Sequence, residues 1–330
     1  MIKYSIIIPT FNRADILLKS LESITNLEFD KKLFEVIVID NNSSDSTKDV
    51  VLSFETKIKN LIYVFEGRSG LVVARHLGAN LAKGSVLCYL DDDAFVTKKW
   101  LLGIDKVFKD ESIVLAGGPI FPIYEVKPPR WIKYFWKKIP EGKYLEELSL
   151  IDLGEKKQKI KPYFVFGCNF IIRKNVLFDL KGFNPDGLPW DKIVYRGNGE
   201  GGLADKIYQE KLNVIYSPEV KVYHYMPKTR LTSDFFLRCF YKKGVTISFN
   251  LLRTKKRSEI NLKNINYNLI DLFLSFLNKD YNSYLNIKNK GYVNLKNGFD
   301  EHQKKFLLDK NFREYVLREN YLGAKGELPL

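Results

Sequence analysis

Cysteine is scarce in this chain: three in 330 residues, Cys88, Cys168 and Cys239, far apart and without a C-x-x-C spacing. An odd, scattered set gives neither a disulfide framework nor a cysteine zinc site, and it suits a reducing compartment. Long apolar runs are also missing. The stretch 270–277 falls well short of a bilayer span, and the opening M-I-K-Y-S-I-I-I-P-T has too little apolar length for a signal peptide. There is no repeat and no low-complexity tract. No G-x-G-x-x-G follows the first apolar run, which argues against a dinucleotide fold. G-x-x-x-x-G-K-[ST] is absent, which disfavours a P-loop phosphotransferase. These absences leave a soluble or peripheral protein, expected in the cytoplasm and, if peripheral, on the inner face of the cell membrane.

What is present is a globular composition, 45% hydrophobic and 28% charged, long enough for one large domain or two modest ones. The net charge of +14 is uneven: residues 225–330 hold 20 basic and 10 acidic residues. Such an excess suggests an anionic neighbour, whether nucleic acid, acidic lipid or a phosphorylated acceptor, with a solvated lysine-rich surface as the ordinary alternative.

The first ninety residues alternate strand and helix. Apolar runs at 3–9, 34–40, 61–65 and 85–90 read as strands. Helices are expected at 13–25 (capped by Asn12, with Leu17, Leu21 and Ile24 on one face), near 47–54, and from Ser69 or Gly70 to 83, with Ala74, Gly78 and Leu81 sharing a face. Continuous rather than alternating apolar strands predict an α/β fold, a parallel sheet covered on both faces. Ligands bind such sheets beyond the carboxyl ends of the strands. The polar clusters P-T-F-N-R, D-N-N-S-S-D and D-D-D follow strands one, two and four. Three adjacent carboxylates at the end of a buried strand, Asp91, Asp92 and Asp93, call for a positive partner, and a divalent cation is the obvious one. An acidic turn in solvent is the plain alternative.

The order and spacing of S-I-I-I-P-T-F-N-R (5–13), V-I-V-I-D-N-N-S-S-D-S-T (36–47), G-L-V-V-A-R-H-L-G-A-N-L-A-K-G (70–84), L-D-D-D-A (90–94), G-C-N-F-I-I-R-K (167–174), G-F-N (182–184) and G-N-G-E-G-G-L-A-D-K-I (197–207) resemble the family-2 inverting glycosyltransferases. The likeness covers roughly residues 1–227. It implies a GT-A fold, a mostly parallel sheet flanked by helices. Residues 1–228 would form the catalytic domain, with a nucleotide-binding half (1–118) and an acceptor-binding half (119–228), followed by a helical, basic extension (229–330). It further implies a nucleotide-diphosphate sugar donor (UDP favoured, GDP and dTDP open), Mg²⁺ or Mn²⁺, and a saccharide or lipid-linked acceptor, as in bacterial surface polysaccharide assembly. By the same resemblance Pro9, Thr10, Phe11, Arg13, Asp40, Asn42 and Arg75 lie along the nucleotide, Asp40 accepting a hydrogen bond from the base. Asp91 faces the ribose and shares the metal with Asp93. Asp92 is grouped with the nucleotide-binding residues, although strand register turns it the other way. His76 stands where the family has asparagine.

An inverting transfer needs a carboxylate to take the acceptor proton. Glu200 falls at or beside that position and Asp205 is the fallback, about 140° round the helix. The family's second acid is replaced by glycine, which leaves room for a protein that binds donor but turns over slowly. A nucleotidyltransferase is the rival enzyme, though P-T-F-N-R lacks the glycine-rich basic loop it would want. His224, in V-Y-H-Y-M-P, is a further metal candidate, and Trp190 and Asp191 are acceptor-side candidates. The stretch 128–144, aromatic and basic, suits an acceptor-side flap or membrane contact. Nucleic acid is not expected, because the crevice is rimmed by carboxylates. From Thr232 the pattern is helical, with a basic first helix suited to an anionic membrane or to packing on the catalytic domain, a T-K-K-R break at 254–257, the run N-L-I-D-L-F-L-S-F-L at 268–277, and a last helix near 301–319.

Overall fold

The computed structural model describes residues 1–254 and 278–322. β1 (Tyr4–Thr10), β2 (Phe34–Asp40) and β4 (Val86–Leu90) are buried at every position, and β3 (Leu61–Phe65) closes the edge. The helices α1 (Ala14–Thr25), α2 (Thr47–Leu52) and α3 (Leu71–Leu81) connect them. β1 pairs in parallel with β2 and β4, and β2 with β3. A strand covered on both faces has no solvent side, so its sequence is apolar throughout.

After β5 (Ala94–Val96) and α4 (Trp100–Phe108), the sheet grows on its other side with β6 (Ile113–Gly117). It is completed by strands from far along the chain. β12 (Asn169–Arg173) runs antiparallel between β4 and β6, and β13 (Asn213–Tyr216) is parallel to β6, with β11 (Gln158–Lys159) outermost. A second, six-stranded sheet holds β5, β7 (Ile120–Tyr124), β8 (Lys137–Ile139), β9 (Gly142–Leu145), β10 (Leu150–Asp152) and β14 (Val222–Met226). The chain leaves β4, turns through the three aspartates, and enters this sheet as β5. There β14 lies antiparallel, with His224 opposite Ala94.

Three local expectations fail for physical reasons. Asn12 does not cap α1: it takes a left-handed φ of 50°, and its side-chain oxygen accepts from the Ser44 N–H at 2.7 Å. The Asp45 carboxylate, from the neighbouring loop, instead accepts from the Ala14 N–H at 3.0 Å. Leu81 is 43% exposed, because α3 buries Ala74, Gly78 and Ala79 and then turns away at Ala82. The last helix expected near 301–319 is divided: α8 (Lys279–Leu308) runs into that stretch and ends at Asp309, whose carboxylate accepts from the Phe312 N–H at 3.0 Å and so caps a separate α9 (Lys310–Leu317).

α7 (Ser233–Arg253) begins where the Thr232 hydroxyl accepts from the Phe235 N–H at 3.2 Å. Its apolar face is packed, with Phe236, Val245 and Phe249 fully buried. α7 and α8 approach so closely that a Cβ on Gly244 would stand 1.9 Å from the Leu295 carbonyl oxygen. Phe236 and Ile287 join the same apolar cluster as the first sheet, so packing continues across the expected boundary at 228. In the aromatic stretch 128–144, read from sequence as a flap or membrane contact, Ile132 and Phe135 are buried and the rest is half-buried or exposed; its aromatic side packs on the C-terminal helices. Trp131 and Phe135 pack on Phe236 at ring distances of 4.9 and 4.7 Å, and Phe135 meets Tyr284 at 4.8 Å. Most of the T-K-K-R break and the run 268–277 lie outside the described residues.

Candidate active site

The three aspartates differ in surroundings although adjacent in sequence. Asp91 is partly open, while Asp92 and Asp93 are buried at 4% and 3% exposure. Asp92 accepts from the Thr10 hydroxyl at 2.8 Å and from Arg13 at 2.9 Å. Burial pushes its carboxyl above the usual range; the Arg13 guanidinium pulls against that and the charge on Asp93 adds to it. Asp93 has two guanidinium partners and an imidazole neighbour. Its Oδ2 accepts from Arg13 at 3.0 Å and Arg230 at 2.8 Å, and its Oδ1 lies 3.1 Å from His224 Nε2. Burial alone would raise the Asp93 carboxyl, but His224, Arg230 and Arg13 together hold it well below the usual range. Among the described residues no three His, Cys, Asp or Glu side chains gather as a ready metal site.

A cavity of about 450 Å³ opens over these strand ends. Pro9, Thr10, Phe11, Arg13, Asp91 and Asp92 line it, as expected from the sequence. Asn41, the 187–189 turn, Arg230 and Lys242 line it too, and the sequence did not single these out. Asp40 does not: its oxygens accept from the Ser43 N–H and the Tyr63 hydroxyl, at 2.8 and 2.7 Å, so it braces the loop. Asn42 is exposed at φ 70°, while Asn41 faces inward, accepting from the Gly70 N–H at 2.7 Å. The end of β2 therefore presents the residue one place before the expected asparagine.

Arg75 lies beneath the cavity rather than along it, 2% exposed. Its guanidinium donates to Asp91 at 3.0 Å and to the Gly167 carbonyl at 3.1 Å, and stands 3.5 Å from Glu200. Glu200, in the first turn of α6 (Gly199–Gln209), also accepts from the Gly167 N–H at 3.2 Å. One buried cation thus ties a carboxylate of the first cavity to a carboxylate of the next. Glu200 lines a second cavity of about 510 Å³ with Tyr144, Tyr163, Phe166 and Phe240, and Lys242 of α7 lines both. Asp205 also faces the second cavity, but its carboxylate takes a hydrogen bond from Tyr163 at 2.8 Å. Burial raises the Asp205 carboxyl, with Tyr163 opposing. Trp190 and Asp191 line neither cavity. Trp190 is 47% exposed and packs on Tyr241 and the Arg238 guanidinium, both at 5.3 Å.

The model of glycosyl transferase family 2 matches residues 5–180. The glycosyltransferase AglE of Haloferax volcanii is 32% identical over 117 residues, 35% of this chain and 38% of its own length. Two further curated relatives are likewise spanned over less than two thirds of their length. A mannosyltransferase of Pyrobaculum calidifontis, solved with GDP-Man and Mn²⁺, superposes with a TM-score of 0.53 at 16% identity, covering 98% of this chain and 86% of its own. S. aureus TarS solved with UDP gives 0.50 at 16%, covering 92% of each chain. Both share the two-sheet α/β architecture, which is the GT-A fold. With the family's motifs matched over more than half its length and brought to one crevice, the chain belongs to glycosyl transferase family 2.

Proposed function

We propose that the chain moves a sugar from a nucleoside diphosphate donor, UDP favoured, to a hydroxyl of a saccharide or lipid-linked saccharide, inverting the anomeric carbon, in surface polysaccharide assembly. The observation that carries this reading is the junction of two cavities through Arg75, with Asp91 on one side and Glu200 on the other. Donor in the first cavity and acceptor in the second would meet at that junction. Glu200, oriented by the Gly167 N–H and Arg75, takes the acceptor proton as the oxygen bonds to the anomeric carbon and the bond to phosphate breaks. Arg13, Arg230 and Lys242 supply positive charge around the departing diphosphate.

Asp93 and His224, with Asp91 at the cavity wall, would hold Mg²⁺ or Mn²⁺. Asp93 Oδ1 and His224 Nε2 stand 3.1 Å apart. Adjacent ligands of an octahedral cation bound at about 2.1 Å are about 3 Å apart, so the donor pair fits. When bound, the cation acts as a Lewis acid toward the leaving diphosphate. No helix among the described residues is long and apolar enough to cross a membrane. Contact with an anionic surface rests on the basic excess after residue 225; the apolar face of α7 does not serve it, being packed inside.

Calorimetry with UDP, GDP and dTDP, with and without Mn²⁺, on wild type and Asp93→Ala tests the donor site. Metal-dependent binding of one nucleotide, lost in the variant, is expected. Failure of all three nucleotides to bind under either condition overturns the reading. A nucleotide-sugar-binding protein without turnover would give the same calorimetry but form no product, and Glu200→Gln would change nothing.

A further inference from the structure

Arg230 is the residue at this site whose position is hardest to explain as ordinary packing. It follows β14 in a single 3-10 turn, Lys228–Arg230, and its side chain, 20% exposed, reaches back into the crevice. One guanidinium nitrogen donates to Asp93 Oδ2 at 2.8 Å; the other lies 3.1 Å from His224 Nε2. The same Nε2 stands 3.1 Å from Asp93 Oδ1. An imidazole nitrogen has one in-plane position, filled by a proton or by a lone pair. It can donate to Asp93 or accept from Arg230, but not both, so one of the two contacts is unsatisfied in either tautomer. His224 Nδ1 is buried without a hydrogen-bond partner among the described residues, so it offers no relief. A cation placed between the carboxylate and the imidazole would accept a lone pair from each and remove the conflict, but only once the guanidinium has moved.

We infer that Arg230 competes with the divalent cation for Asp93 and His224, and that a diphosphate entering the neighbouring cavity draws its guanidinium away. The inference rests on the cation seat named under the proposed function. Arg230 already lines the 450 Å³ cavity together with Arg13 and Lys242, so an anion there has three cations to recruit. Metal and nucleotide then bind cooperatively, each making room for the other, and by linkage the coupling is reciprocal. The device keeps the cation seat charge-neutral before donor arrives and discourages metal from settling there alone.

The test is Mn²⁺ binding, read from the electron paramagnetic resonance of free Mn²⁺, for wild type, Arg230→Met, Arg230→Gln and Asp93→Asn, each with and without UDP. Wild type is expected to bind Mn²⁺ weakly alone and more tightly with UDP. Both Arg230 variants should bind Mn²⁺ alone about tenfold to a hundredfold more tightly than wild type, with a correspondingly smaller gain from UDP. Asp93→Asn should bind Mn²⁺ poorly in all conditions. A residue that merely contacts nucleotide or supports the fold would not raise metal affinity when removed. Unchanged or weaker Mn²⁺ binding in both Arg230 variants overturns the competition. If UDP binds but Mn²⁺ binds to none of the proteins, the cation seat and the competition both fall, while the donor site stands.

Discussion

Two buried histidines should make this fold sensitive to mild acid by a calculable amount. His76, on α3, accepts from the Phe183 N–H at 3.0 Å and stacks on that ring at 5.8 Å. Burial first, and then the charge of Arg75, depresses its pKa to about 3. His302, on α8, sits 2.7 Å from the Ser248 hydroxyl, and burial lowers its pKa to about 4. An unfolded histidine titrates near 6.5, so below that value the unfolded chain binds protons that the native state refuses. Stability from these groups is therefore intact above about pH 6.5 and falls as the pH drops toward the folded values. At pH 5.0 each site costs about 2 kcal/mol by this linkage, about 4 together. Urea unfolding at pH 7.5 and 5.0, on wild type, His76→Asn, His302→Gln and the double variant, isolates the effect from the carboxylates common to all four. Wild type should lose about 2 kcal/mol more than each single variant over that interval, and about 4 more than the double. If wild type and double variant lose the same to within about 0.5 kcal/mol, the tolerance for independent sites, the buried-imidazole argument is wrong.

Glu200→Gln should lower kcat about 10²- to 10⁴-fold while calorimetry finds nucleotide affinity unchanged. Arg75→Met, which strips two carboxylates of their cation, should cost about 2–3 kcal/mol in urea unfolding, below the full buried-pair range because Asp91 and Glu200 are part exposed. Gly244→Ala forces a Cβ against the Leu295 backbone, and a loss of ~1–3 kcal/mol should appear as a lower urea midpoint. Asn41→Ala should weaken nucleotide binding by calorimetry, whereas Asn42→Gly, at a left-handed φ that glycine adopts freely, should leave it intact.

The first half of the large sheet was legible because its signals are local. An apolar run of five to seven residues ending in a polar cluster names both the strand and its functional end. The placing of Glu200 followed from the resemblance of the glycine-rich segment to the family's motif, and that segment does open a helix with Glu200 in its first turn. The second sheet was not legible, since strands such as Ala94–Val96 and Lys137–Ile139 are too short to show a period and pair with distant segments. Arg230 and Lys242 carry no local mark, because an arginine after a strand or a lysine on a basic helix usually faces water. Trp190 shows a different limit: an aromatic beside an acid suits a sugar by type, but the sequence could not reveal that it packs on Arg238 and Tyr241 outside both cavities. Asn12 misled because asparagine serves a cap and a left-handed turn equally well.

The stretch matched to the family ends at 180, yet Glu200, His224, Arg230 and Lys242 all lie beyond it. The part that matches the family model and the part that completes the crevice are different lengths of chain. A chimera exchanging the tail between paralogues would thus change both cavities at once, since Arg230 lines the first, Phe240 the second and Lys242 both. The splice would not be clean at 228, because Trp131 and Phe135 meet Phe236 and Tyr284 across it. The transplantable unit is the tail together with the aromatic stretch before it, two pieces a hundred residues apart that must change hands as one.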